Sequence, residues 1–100
     1  MTVTVTINVT DQPTRVVVAT DPALEAIRFT FNPSLLNDVT ELKALAAAFL
    51  TKADDVARAN PWAGREIAVA KTNMQTASMW AVLGATKADD HNQVGQALPR

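Results

Sequence analysis

One hundred residues, 48% of them hydrophobic and 19% charged, suit one small domain with a core of its own and argue against a wholly disordered chain. Nine basic against ten acidic residues leave a net charge of −1, without the cationic excess of a non-specific nucleic-acid binder. The lack of cysteine excludes a disulfide framework and a thiolate metal site. With no signal-peptide pattern and no apolar run of about 18 residues, the expectation is a soluble, intracellular protein.

The chain opens on Thr2-Val3-Thr4-Val5-Thr6-Ile7-Asn8-Val9, where polar and apolar residues alternate and the β-branched side chains favour an extended strand. Its apolar face is Val3, Val5, Ile7 and Val9. Asp11-Gln12-Pro13-Thr14 has turn chemistry, and Arg15 to Thr20 reads as the returning strand of a hairpin. After a Pro-containing link at Asp21 to Leu24, Ile27-Arg28-Phe29-Thr30-Phe31 reads as a third strand, stopped by Asn32-Pro33-Ser34. A lone hairpin is marginal in water, so residues 1–31 are predicted to form a small antiparallel sheet of three strands.

The remainder reads as two helices. Val39, Leu42, Leu45, Ala46, Phe49, Ala53 and Val56 repeat every three or four positions, and so do Ile67, Ala70, Met74, Ala77, Trp80 and Leu83. Asn37 or Asp38 is placed to cap the first helix, with Glu41 in its first turn. Ala59-Asn60-Pro61-Trp62 separates the two, because proline inside a helix loses a hydrogen bond and clashes one turn back. The prediction is an antiparallel hairpin over residues 38–87, each helix roughly 20 residues and 30 Å long, with Arg65 to Lys87 as the stretch the chain is organised around. The fold class is thus α+β: one domain over residues 1–88, then a polar tail at 89–100. A core this small, carrying wide apolar stripes, invites burial against further copies.

Catalytic chemistry finds little support in the residues. His91 is the only histidine and falls in the tail, which leaves a Ser-His-Asp site or a histidine zinc site almost nothing to work with. The pairs Asp54-Asp55 and Asp89-Asp90 are adjacent rather than facing, and the three glycines form no phosphate-cradling loop. The expectation is a non-enzyme without a cofactor. Polar and aromatic residues do gather at element ends: Arg28, Phe31, Asn32, Lys43, Arg65, Thr72, Asn73, Trp80 and Lys87. Phe29 and Met79 read as core and Trp80 as interface core, whereas Phe31, at the end of a strand beside Asn32-Pro33, has room to stay open to a base.

Two of these stretches carry a resemblance. Arg28-Phe29-Thr30-Phe31-Asn32-Pro33 resembles the Arg-Phe-Thr-aromatic-His/Asn-Pro segment that precedes the helical hairpin of phage-encoded cyclic-nucleotide sponges. Arg65-Glu66, Thr72 and Ala77-Ser78-Met79-Trp80-Ala81 resemble that family's second helix, with its Ala-x-Met-Trp-Ala signature in register. These are the anti-CBASS and anti-Thoeris proteins, and the preceding strands look more like the anti-Thoeris branch.

The resemblance implies binding without cleavage of a bacterial immune signal, in pockets between protomers of a dimer-to-hexamer assembly in the host cytoplasm. The implied ligand is a cyclic ADP-ribose isomer, with cyclic di- and trinucleotides as a second class. By position, Phe31 matches the base-stacking aromatic, and Lys43, across a gap in the loop, a phosphate-meeting cation. Arg65 and Thr72 match motif positions, and Lys87 falls where a cation would face a pocket. Arg28 and Asn32 flank the aromatic. Many relatives have Tyr-His where this chain has Phe31-Asn32, which removes a Tyr hydroxyl bond and leaves stacking. The rival expectation is a structural or regulatory homo-oligomer, possibly DNA-binding, without a small ligand; the net charge weighs against its DNA form.

Overall fold

A computed structural model describes the backbone of residues 1–97 and the side chains of residues 1–87. The strands β1 (Thr4–Ile7) and β2 (Arg15–Val18) form a two-stranded antiparallel sheet with Thr4 opposite Val18 and Ile7 opposite Arg15. Each is shorter than the alternation suggests. Asp11 takes a positive φ of 69° in the connecting turn, a conformation that Asp tolerates better than most residues. Val5 and Val17 pair on the half-buried face, while Val16 and Val18 stand exposed with Thr4 and Thr6 on the other.

The predicted third strand does not form. Helix α1 (Asp21–Ala26) occupies the expected link, with the Thr20 hydroxyl accepting from the Ala23 amide and Pro22 in the first turn, where its missing N–H does no harm. Residues 27–30 then close α1 rather than extend. The Phe29 amide donates to the Leu24 carbonyl at 3.0 Å and the Arg28 amide to the Glu25 carbonyl at 3.1 Å, the paired bonds of a Schellman closure. Arg28 holds the left-handed position at φ 53°. Glycine usually fills that position, so the stop was not marked in the sequence.

Helix α2 (Asn37–Ala59) is the centre of the molecule. Ala46, Ala47 and Leu50 pack against Ala19, Ala23 and Ile27, with Val3, Leu24, Phe29 and Met74 around them. Leu36 precedes α2 without a side-chain cap bond, so Asn37 and Asp38 lie inside the first turn instead of capping it. Thr51 ties α2 to the β2–α1 junction: its hydroxyl donates to the Ala47 carbonyl at 2.9 Å and accepts from the Thr20 amide at 3.1 Å. The buried face of α2 is made by Val39, Lys43, Ala46, Ala47, Ala48, Leu50, Thr51 and Ala53. Leu45 and Phe49, expected on that face, are exposed. Small residues let two elements approach α2 at once, which rotates the larger ones outward.

The chain turns at Asn60 as predicted. Asn60 closes α2 through its amide and side-chain bonds to the Val56 carbonyl, a short 3₁₀ turn follows at Pro61–Ala63, and α3 (Gly64–Ala97) runs back along α2. Ile67, Ala70 and Met74 are half-buried against it, but the predicted stripe fails further on, where Ser78 is buried and Ala77, Trp80 and Leu83 are exposed. Lys71 bridges to Asp54 across the hairpin at 2.6 Å. The helix continues past Lys87, where the sequence reading places a polar tail; His91 lies outside the described side chains. Among the described residues no helix is long and apolar enough to cross a membrane.

Candidate ligand-binding site

The turn after α1 places an aromatic ring in the open. Arg28 in the left-handed conformation reverses the chain, and the Phe31 amide donates back to the Arg28 carbonyl at 3.0 Å. Phe31 is left 56% exposed, with the Arg28 guanidinium 4.7 Å and the Lys43 ammonium 5.7 Å from its ring centre. Both lie within cation–π range.

Two polar side chains brace this turn. Lys43 rises from α2 beneath it and donates to the carbonyls of Arg28, at 2.8 Å, and of Phe31. Its ammonium is lowered in pKa, first by burial and then by repulsion from Arg28. Asn32 donates to the Leu36 carbonyl at 3.2 Å and the Thr40 hydroxyl at 3.1 Å, and accepts from the Ser34 hydroxyl at 2.7 Å. These bonds fasten the 32–36 loop to the start of α2.

Phe31 borders three concavities. On the α1 side one of about 590 Å³ is lined by Met1, Asp21, Leu24, Glu25, Arg28, Phe29 and Thr30. Toward α3 one of about 270 Å³ includes Arg28, Lys43, Gln75, Met79 and Val82. A neighbouring one of about 580 Å³ includes Asn32, Pro33, Lys43, Met79, Leu83 and Thr86. Among the described residues, carboxylates line the first and none lines the other two. An anion is therefore favoured on the α3 side, where the charged lining groups are Arg28 and Lys43.

The structure brings Arg28, Phe31, Asn32 and Lys43 together, whereas Arg65, Thr72 and Lys87 line none of the three concavities. Arg65, Thr72, Met79 and Thr86 are spaced by seven residues, close to two helical turns, so they share one face of α3. By the helical rise Thr72 is roughly 10 Å and Arg65 roughly 21 Å from Met79 along the axis. Lys87 is exposed next to Thr86. Met79, read from sequence as core, is 73% exposed and lines both α3-side concavities. Its seven-residue spacing to Thr72 and Thr86 was the available signal.

A family model described as the Acb2/Tad1 hairpin domain matches residues 21–86, which takes in α1, the braced turn, α2 and most of α3. The chain belongs to the Acb2/Tad1 hairpin family. This is the family of anti-CBASS and anti-Thoeris sponges, known for binding cyclic nucleotide signals through a sponge-type domain that is not catalytic. The β1–β2 hairpin precedes the part that matches the Acb2/Tad1 model. No curated protein and no solved structure matches this chain.

Proposed function

We propose that this protein is a phage anti-defence sponge that sequesters a cyclic nucleotide immune signal without cleaving it in the cytoplasm of the infected host. The first ligand is a cyclic ADP-ribose isomer, as in the anti-Thoeris branch that the amino-terminal strands favour; cyclic di- and trinucleotides are the second class. The observation that carries the reading is an exposed Phe31 with two cations near its ring, beside a concavity whose described lining holds no carboxylate. Phe31 stacks on a base, worth roughly 1–3 kcal/mol. Arg28 meets a phosphate, worth of the order of 1.5–3 kcal/mol for a charge-assisted bond.

One such set falls short of nanomolar affinity, about −12 kcal/mol. A neighbouring copy supplies the remainder: Arg65, Thr72 and Lys87, none of which lines the Phe31 concavities of its own chain, reach the Phe31 site of another protomer in a homo-oligomer between dimer and hexamer. Exposed Leu45, Phe49 and Trp80 give that assembly apolar surface to bury.

Calorimetric titration with a cyclic ADP-ribose isomer and with a cyclic dinucleotide, after mass determination by light scattering, tests the proposal. Tight binding of either, with the ligand recovered intact after denaturation, supports it. A folded oligomer that binds neither favours the assembly-only reading, to which the exposed apolar side chains also lend themselves.

A further inference from the structure

We propose that Lys43 is a positioning residue: it holds the Arg28–Phe31 turn in its binding-ready shape through two backbone carbonyls. The inference rests on the reading of this turn as the ligand site and gives Lys43 a task beyond a phosphate contact.

Three observations carry it. Lys43 is 5% exposed, so its side chain is held against the protein beneath the turn. An ammonium has three donors, and two are committed to the carbonyls of Arg28 and Phe31, which leaves one for the concavity that Lys43 lines. Turning them toward a phosphate would strip a charge-assisted partner from each carbonyl, a loss comparable to the gain.

The held segment also needs holding. Arg28 sits at φ 53°, a conformation that disfavours residues with a Cβ, and Phe31 is too exposed for packing to fix its ring. Clamping both ends of the turn from below orders the ring before the ligand arrives. Pre-ordering lowers the entropy lost on binding. Asn32 braces the next residues in the same manner through Leu36 and Thr40, so Lys43 and Asn32 together set the geometry of the turn that carries Arg28 and Phe31.

The test reads the turn in the ligand-free protein. The chain carries three phenylalanines, Phe29, Phe31 and Phe49; labelled with 4-fluorophenylalanine, they give three ¹⁹F signals, and Phe31→Leu assigns the one of interest. Lys43→Met is expected to shift or broaden the Phe31 signal while the Phe49 signal stays in place, and Lys43→Arg, which keeps donors for both carbonyls, to restore it. An unchanged Phe31 signal in folded Lys43→Met overturns the proposal. Should Lys43→Met not fold, ¹⁵N-lysine labelling of the unaltered protein decides. Lys43 ammonium protons that exchange more slowly than those of exposed Lys52 support the clamp, and equally fast exchange overturns it. Neither readout requires ligand, so failure of the unaltered protein to bind nucleotide would sink the sponge reading and leave this one standing.

Discussion

Phe31 and Phe49 are both exposed, at 56% and 42%, yet their surroundings give them different work. Phe31 stands on a braced turn between two cations, facing concavities that extend to α3. Phe49 lies one helical turn after Leu45, on the flank where Leu42, Leu45, Ala81 and Ala85 border a groove rimmed by Asp38 and Glu41. An apolar flank with an acidic rim repels a phosphate and suits another protein surface. Exposure of an aromatic is therefore uninformative until its neighbours are known: fixed cations select an anion-bearing base, and aliphatic neighbours select a partner chain.

The comparison can be broken most forcefully through the core that both regions share. Leu50→Ala, at a side chain only 1% exposed, is expected to cost about 2–5 kcal/mol of folding stability in denaturant titration. Phe31→Ala and Phe49→Ala should each cost much less than that, because neither ring is buried. Equal losses at all three positions would show that these rings serve as core.

Next in size, Phe31→Ala is expected to weaken nucleotide binding about 10- to 100-fold by calorimetry, as loss of a stacked base implies, without changing the mass by light scattering. Phe49→Ser should do the reverse first, lowering the mass of the assembly. If Phe49→Ser left the mass unaltered, the second half of the comparison would fail.

Arg28→Gly separates backbone from side chain at the braced turn. Glycine relieves the left-handed strain, so thermal stability is expected to hold or rise by up to about 1 kcal/mol, while affinity drops about tenfold with the guanidinium. A parallel fall in both would mean that Arg28 is there for the fold. The smallest effect is expected at Asp54→Asn: its bridge to Lys71 is about one-third exposed at both ends, and pairs of that kind contribute under about 1 kcal/mol.

Much of the architecture was legible because it rests on local chemistry. The alternation at Thr2–Val9 marked β1, the repeat of three and four marked α2 and α3, and Pro61 marked the turn between them. The motif at 28–33 marked where the ring would sit. Other features were hidden for equally specific reasons. Residues 27–31 carry β-branched and aromatic side chains suited to a strand, yet the amides of Ile27, Arg28 and Phe29 are taken up by carbonyls of α1 and that of Phe31 by the turn itself. The Schellman closure carries arginine where glycine would have announced it.

By itself the sequence determined that there is a β hairpin, a helical hairpin and a ring at the end of the first part, since each depends on residues within a few positions of one another. Only the tertiary structure decided which stripe of α2 is buried and what Lys43 does. Alanine-rich α2 offers more than one packable face, and the choice falls to the elements that dock on it. Lys43 meets carbonyls twelve and fifteen residues earlier in the chain, and a lysine destined for a phosphate has the same letter and the same helical position as one that clamps a turn.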